Sequence, residues 1–216
     1  MNLYDHYILP HIIDLACGIR PVARQRQKVI PLAQGKVLEI GIGTGLNMPF
    51  YAKDRVEKIV GVDPALKMHS LAQKRVQAAG LQVELVGLSA ERLPLADASF
   101  DTVVCTYTLC SIPEPLAALA EMRRVLKPGG KLMVLEFSKV WKPLQPLYDL
   151  YSFQMLPRMG DLVTKDAESY RYLAESIRMH PDQETLKGMM EGVGFQKVDY
   201  FNMTAGVVAL HVGYKL

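Results

Sequence analysis

The sequence predicts an α/β fold built on a mostly parallel, seven-stranded sheet with helices on both faces and an antiparallel last strand. Three observations carry that prediction. Short apolar strands alternate with helical stretches from residue 36 to residue 137, and alternation at these lengths implies parallel strands joined by right-handed crossovers. The first strand runs into an alternating glycine turn, Gly41-Ile42-Gly43-Thr44-Gly45. The second, Ile59-Val60-Gly61-Val62, closes on an acid, Asp63.

The elements follow in order. Residues 3–16 carry Leu3, Tyr7, Ile8, Ile12 and Leu15 at roughly helical spacing, broken by Pro10. A second helix starts after Pro21, a good first-turn residue. Its Arg20, Arg24, Arg26 and Lys28 read most simply as a solvated face, with anionic-lipid contact as the alternative. Strand 36–40 leads to a helix near 46–53, and strand 58–62 to helix 65–79, which Gly80 stops. Strand 82–87 comes next, then a loop with Pro94. Asp97-Ala98-Ser99-Phe100-Asp101 is a polar turn into strand 101–106. Helix 114–126 is stopped by Pro128-Gly129-Gly130, and strand 131–137 follows. Residues 138–180 break the rhythm with an insertion rich in aromatic residues and Met. Helix 181–191 and strands near 195–202 and 206–214 finish the chain. The short 203–205 connection makes those last two strands antiparallel.

A chain of 216 residues suits one α/β domain, 1–216, with an N-terminal helical segment at 1–35 and the insertion at 138–180. Half the residues are hydrophobic, enough for a full core, and a net charge of +3 implies no nucleic-acid partner. Cys17, Cys105 and Cys110 are odd in number and scattered, which gives neither a disulfide framework nor a metal site. That usage suits a reducing cytoplasm. No apolar run reaches the ~18–20 residues of a membrane span, and the start lacks a signal peptide's basic region and cleavage site.

The glycine turn points to a ligand. Glycine lets backbone N–H groups approach a bound molecule and tolerates positive φ. An acid at the next strand end accepts hydrogen bonds from both ribose hydroxyls of a nucleoside. A dinucleotide fingerprint needs glycine at 46 or 48, where Leu46 and Met48 stand. Glu39-x-Gly41-x-Gly43-x-Gly45 instead resembles motif I of class I S-adenosylmethionine (SAM) methyltransferases. Val103-Val104-Cys105-Thr106 and Leu126-Lys127-Pro128-Gly129-Gly130-Lys131-Leu132 resemble the same class. That resemblance implies a Rossmann-like fold.

The C-terminal half is more specific. Val134-Leu135-Glu136-Phe137-Ser138-Lys139 resembles the UbiE/MenG family of ubiquinone and menaquinone C-methyltransferases. So do Tyr148–Phe153 with Leu156-Pro157-Arg158, the run Ser169–Gln183, and the ending Thr204–His211. The resemblance implies SAM contacts at Glu39, Gly41, Gly43, Thr44, Gly45, Asp63, Pro64, Ser89, Ala90 and Thr106. The chain departs from the family at several positions, the first being Gly41-Ile42-Gly43, where the family usually has Ala-Gly-Gly. Leu46 stands where the family has Asp, and Cys110-Ser111 where it has Arg-Asn. Residues 3–60 and 103–112 look closer to small methyltransferases of thiols or lipids.

An insertion after a strand's C-terminal end lies where open α/β sheets bind ligands. Residues 138–180 are therefore expected to cap an apolar acceptor, with Met155, Arg158, Tyr170 and Tyr172 as substrate contacts. A quinol ring carbon attacks well once a neighbouring hydroxyl ionises, so a base or cation is needed nearby. His180 is the first choice of base, and Tyr107 the second residue expected at the methyl group. Cys110 reads as a buried thiol rather than a nucleophile. The expected partner is a lipophilic quinol, with a membrane surface and a second copy of the chain left open. A thiol, amine or lipid acceptor is the alternative, as is a non-catalytic subunit of a quinone-biosynthesis assembly. No metal is expected.

Overall fold

The computed structural model describes residues 17–65, 68–140, 143, 145 and 180–216. Seven strands form one sheet: β1 (Gly35–Ile40), β2 (Val56–Val62), β3 (Val83–Val86), β4 (Phe100–Thr106), β5 (Leu126–Phe137), β6 (Gln196–Met203) and β7 (Val208–Tyr214). Their order is β3-β2-β1-β4-β5-β7-β6. All pairs are parallel except those of β7, which runs antiparallel to both β5 and β6. Chain order reverses between β1 and β4, and in open α/β sheets the crevice at such a point takes the ligand.

Among the described residues four α-helices cover the two faces: α1 (Arg20–Val29), α2 (His69–Ala79), α3 (Pro115–Val125) and α4 (Gln183–Gly192). Successive strand residues point to opposite faces. Leu38, Val103 and Leu132 pack with Leu119 and Met122 of α3 and Leu186 of α4. Val37, Val104 and Met133 pack with Val29 of α1 and Ala79 of α2 on the other face. Pro21 lies in the first turn of α1, where a missing N–H costs nothing. Gly80 ends α2 with φ +62, bonding its N–H to the Val76 and Gln77 carbonyls. Asp182 caps α4 by accepting the Thr185 N–H at 2.8 Å. No helix among the described residues is long and apolar enough to cross a membrane.

Two expectations are corrected. The stretch expected as a helix near 46–53 is a single 3-10 turn, Met48–Phe50, after which Tyr51 turns extended. Asn47 and Tyr51 both send polar side chains inward to Glu39, and that anchoring competes with helical propagation. Pro128-Gly129-Gly130 lies within β5 rather than ahead of it. The Gly129 N–H donates to the Lys215 carbonyl at 2.6 Å, and the Lys215 N–H returns to Gly130 at 3.0 Å, so the chain end extends the strand. Helix α2 starts at His69, later than expected, and β3 is shorter than 82–87. The N-terminal stretch 3–16 and the body of the 138–180 insertion lie outside the described residues.

The core makes a paired prediction. Leu119 is fully buried whereas Leu116, in the same helix, is 52% exposed. Leu119→Ala should lower unfolding free energy by ~2–5 kcal/mol. Leu116→Ala should stay within about 0.5 kcal/mol of wild type in the same urea titration.

Candidate active site

The end of β1 places a glycine turn against the end of β2. Gly41, Gly43 and Gly45 have φ of +69, +52 and +78, a region L side chains rarely enter. At Gly41 space also forbids a side chain, since a Cβ would lie 2.2 Å from Thr108. The acid of β2 is held from both sides. Asp63 Oδ2 accepts the Gly43 N–H at 3.0 Å, and Oδ1 accepts the Ala65 N–H at 2.8 Å. Each carboxylate oxygen keeps a further lone pair for a ligand hydroxyl.

Beneath the turn lies a buried polar knot. Arg26 Nη1 donates to Asn47 Oδ1 and to Thr106 Oγ1, each at 2.7 Å. Asn47 Nδ2 donates to Glu39 Oε1 at 2.9 Å and to Thr106 Oγ1 at 3.0 Å. The Tyr51 hydroxyl donates to Glu39 Oε2 at 2.7 Å. Burial raises the Glu39 pKa to about 7, against the lowering effect of Tyr51, Asn47 and Arg26. Four separate segments meet here: α1, the end of β1, the 3-10 turn and the end of β4.

Past β4 the chain bends sharply. Tyr107 has φ +53, uncommon for a bulky residue. Its ring packs on Phe137 with centroids 4.9 Å apart, and the Arg26 guanidinium lies 4.9 Å from the ring centre on the other contact. The next two N–H groups, of Thr108 and Leu109, donate to Glu136 Oε1. Burial pushes the Glu136 pKa up to about 7, and its Oε2 has no partner among the described residues. Burial raises the thiols of Cys105 and Cys110 well above their ordinary range, which keeps both protonated. None of the three cysteines forms a disulfide among the described residues, and no group of three metal-ligating side chains occurs among them.

A cleft of about 290 Å³ opens above the knot. It gathers Gly41, Gly43, Thr44, Asp63, Pro64, Ser89, Ala90, Thr106 and Tyr107 from the sequence-predicted set. Glu39 lies below it within the knot, and Gly45 shapes the turn behind it. His180 is not among the lining residues. It is buried near His211 and Lys139, and desolvation chiefly, with those two neighbours, lowers its pKa to about 4. Met155, Arg158, Tyr170 and Tyr172 lie outside the described residues.

Arg26 corrects one expectation. Arg20, Arg24 and Lys28 are exposed as a solvated face requires, but Arg26 is only 5% exposed and lines the cleft. The signal was present in the spacing. Val22, Arg26 and Val29 stand at i, i+4 and i+7, so Arg26 shares the apolar stripe of α1. Glu136 was also missed as a site residue, because nothing local marks a strand carboxylate that caps a neighbouring loop.

Fold and cleft together define a SAM-dependent methyltransferase. The ubiE/COQ5 methyltransferase family model matches residues 9–215, and the chain belongs to that family. The ubiquinone/menaquinone biosynthesis C-methyltransferase UbiE of Laribacter hongkongensis is 50% identical, over 98% of this chain and 82% of the relative. That of Chromobacterium violaceum is 55% identical, over 85% of this chain and 76% of the relative. A SAM-dependent methyltransferase of Aquifex aeolicus superposes with a TM-score of 0.63 at 18% identity, over 96% of this chain and 98% of that one. One from Thermotoga maritima gives 0.61 at 23% identity, over 99% and 95%. These two structures share the fold.

The His180 environment sets a pH dependence. The unfolded imidazole takes a proton below about pH 6.5, whereas the folded one resists until about pH 4. The unfolded state thus binds more protons across that window, and stability falls as pH drops through it. Glu39 and Glu136 act with the opposite sign, since their raised values make stability fall as pH rises from about 4.5 to about 7. His180→Gln should therefore lose less thermal stability than wild type between pH 6.5 and pH 4. Parallel melting curves would place His180 in solvent.

Proposed function

We propose that this chain transfers a methyl group from SAM to a ring carbon of a ubiquinone or menaquinone precursor quinol. The observation that carries the reading is 50% identity to a UbiE C-methyltransferase across 98% of the chain. The cleft supports it, because the glycine turn, the anchored acid and Thr106 surround one space. SAM supplies an activated methyl on a sulfonium centre. The protein's part is alignment and exclusion of water.

Each residue then has a role. Asp63 would take the ribose hydroxyls on the lone pairs that Gly43 and Ala65 leave open. A Cβ at Gly43 would stand 4.0 Å from Asp63 Oδ2, and at φ +52 it would also strain the backbone that presents its N–H to that oxygen. Ser89 and Ala90, on the same cleft, would flank the adenine. Thr106 and Tyr107 would face the reacting end, where Tyr107 is held in place by Phe137 and Arg26. The segment 138–180 with residues 3–16 would cover the acceptor and its apolar tail, which would also draw the chain to a membrane surface. The base would come from that cover, although His180, the residue first expected there, is buried off the cleft lining. A pKa of about 4 makes that imidazole neutral at pH 7 but a weak proton acceptor, so it would need help from a charge near the acceptor hydroxyl.

A thiol or lipid acceptor is favoured by one observation. Leu46 lines the cleft, at the position where the family resemblance implies Asp, and a thiol ionises near ~8.5, below a phenol near ~10, so it needs less assistance. Labelled SAM offered to a demethylated quinol and to a small thiol separates the two. Methylation of the quinol is expected, and a methylated thiol with untouched quinol would overturn the reading. Asp63→Ala should weaken SAM binding by roughly ten- to a hundred-fold in titration calorimetry, the worth of one or more charge-assisted hydrogen bonds. Unchanged affinity would remove Asp63 from the site.

A further inference from the structure

Helix α1 buries a cation that no carboxylate touches among the described residues, although the buried Glu39 and Glu136 carboxyls feel its charge from a distance. Arg26 is 5% exposed, yet both partners of its Nη1 are neutral oxygens, of Asn47 and Thr106. Among the described residues its Nε–H has no partner and no ion pair includes it. Glu39 is reached only through the Asn47 amide. A desolvated guanidinium left this way is costly unless an anion arrives to complete it.

Thr106 adds a second unanswered donor. A hydroxyl has two acceptor lone pairs and one hydrogen. The Arg26 and Asn47 N–H groups occupy both lone pairs. The hydroxyl hydrogen must then be donated, and no acceptor for it stands among the described residues. Arg26 and Thr106 both line the cleft, as does Asp63. The cleft therefore carries an acid for hydroxyl donors at Asp63 and a pair of donors for an oxyanion at Arg26 and Thr106.

We propose that the Arg26 Nε–H and the Thr106 Oγ1–H form an oxyanion-binding locus in the cleft. The locus rests on the reading that SAM and its acceptor meet there. Two oxyanions fit its chemistry: the α-carboxylate of the cofactor's amino-acid arm, and the ionised hydroxyl of the acceptor ring. Either would complete the Arg26 charge. The second would also supply the cation that a weak base requires.

The test compares wild type with Arg26→Met and Thr106→Val, binding two nucleosides by calorimetry. One is S-adenosylhomocysteine, which keeps the carboxylate. The other is 5′-methylthioadenosine, the same thioether without it. If the locus holds the cofactor carboxylate, both variants lose roughly ten- to a hundred-fold in affinity for S-adenosylhomocysteine and keep their affinity for methylthioadenosine. If it holds the acceptor oxyanion, both nucleosides bind as in wild type. The acid limb of kcat with the demethylated quinol then moves up by a pH unit or more. The locus is overturned if both nucleosides weaken equally with the pH profile unmoved, or if nothing changes. Thr106→Ser keeps the hydroxyl and should recover wild-type affinity where Thr106→Val has lost it, so the test stands even where Arg26→Met fails to fold. Wild-type protein that binds neither nucleoside would overturn the cofactor reading and the locus together; every other negative result falls on the locus alone.

Discussion

The glycine turn keeps its shape because a buried polar knot holds it from below. Asn47 sits at the centre of that knot. Its amide accepts from Arg26 and donates to Glu39 and Thr106, so one side chain joins α1, β1 and β4. Tyr51 closes the far side on the second oxygen of Glu39. Polar groups removed from water stabilise a structure only when they satisfy one another. The knot does so for the Glu39 carboxyl, and among the described residues it leaves the Arg26 Nε–H without a partner. Rigidity and open valence come from the same set of contacts.

A second constraint sets the opposite wall. Tyr107 takes a left-handed backbone conformation that costs a bulky residue roughly 1–2 kcal/mol. Three contacts offset it. Phe137 and Arg26 hold the ring, and one oxygen of Glu136 collects the Thr108 and Leu109 N–H groups that the bend exposes. The carboxyl of β5 therefore does for the loop what a capping residue does for a helix. Thr108 in turn fills the space beside Gly41. The two loops that flank the switch point between β1 and β4 are thus packed against each other.

Much of this could be read in the chain. Seven strands and their alternation with helices follow from apolar runs and turn residues. Asp63, Thr106 and the glycines lie together as strand ends in a parallel sheet must. The misses share a cause. Periodicity assigns a polar residue to solvent, so Arg26 was placed outside although Val22 and Val29 share its face. The helix expected at 46–53 rested on local preference, and two inward bonds from Asn47 and Tyr51 overrode it. Pro128-Gly129-Gly130 reads as a break, but the chain terminus, nearly ninety residues on, pairs with it and makes it strand. Each miss turns on a partner far away in sequence, which a local reading does not contain. The familiar motifs of the second half could be matched directly, whereas the placement of His180 away from the cleft lining needed coordinates.

The strand order has a consequence for how a nascent chain reaches this state. Arg26 is made early, but the threonine that accepts its bond lies 80 residues later. At synthesis rates of roughly 5–20 residues per second, that interval is about 4–16 s. During it β1 can pair with β2 but lacks β4, so one long edge of the central strand stays open. An open apolar edge is a template for wrong pairing. Thr106 ends the strand that closes that edge, so the Arg26–Thr106 bond can form only once the central strand has both its neighbours.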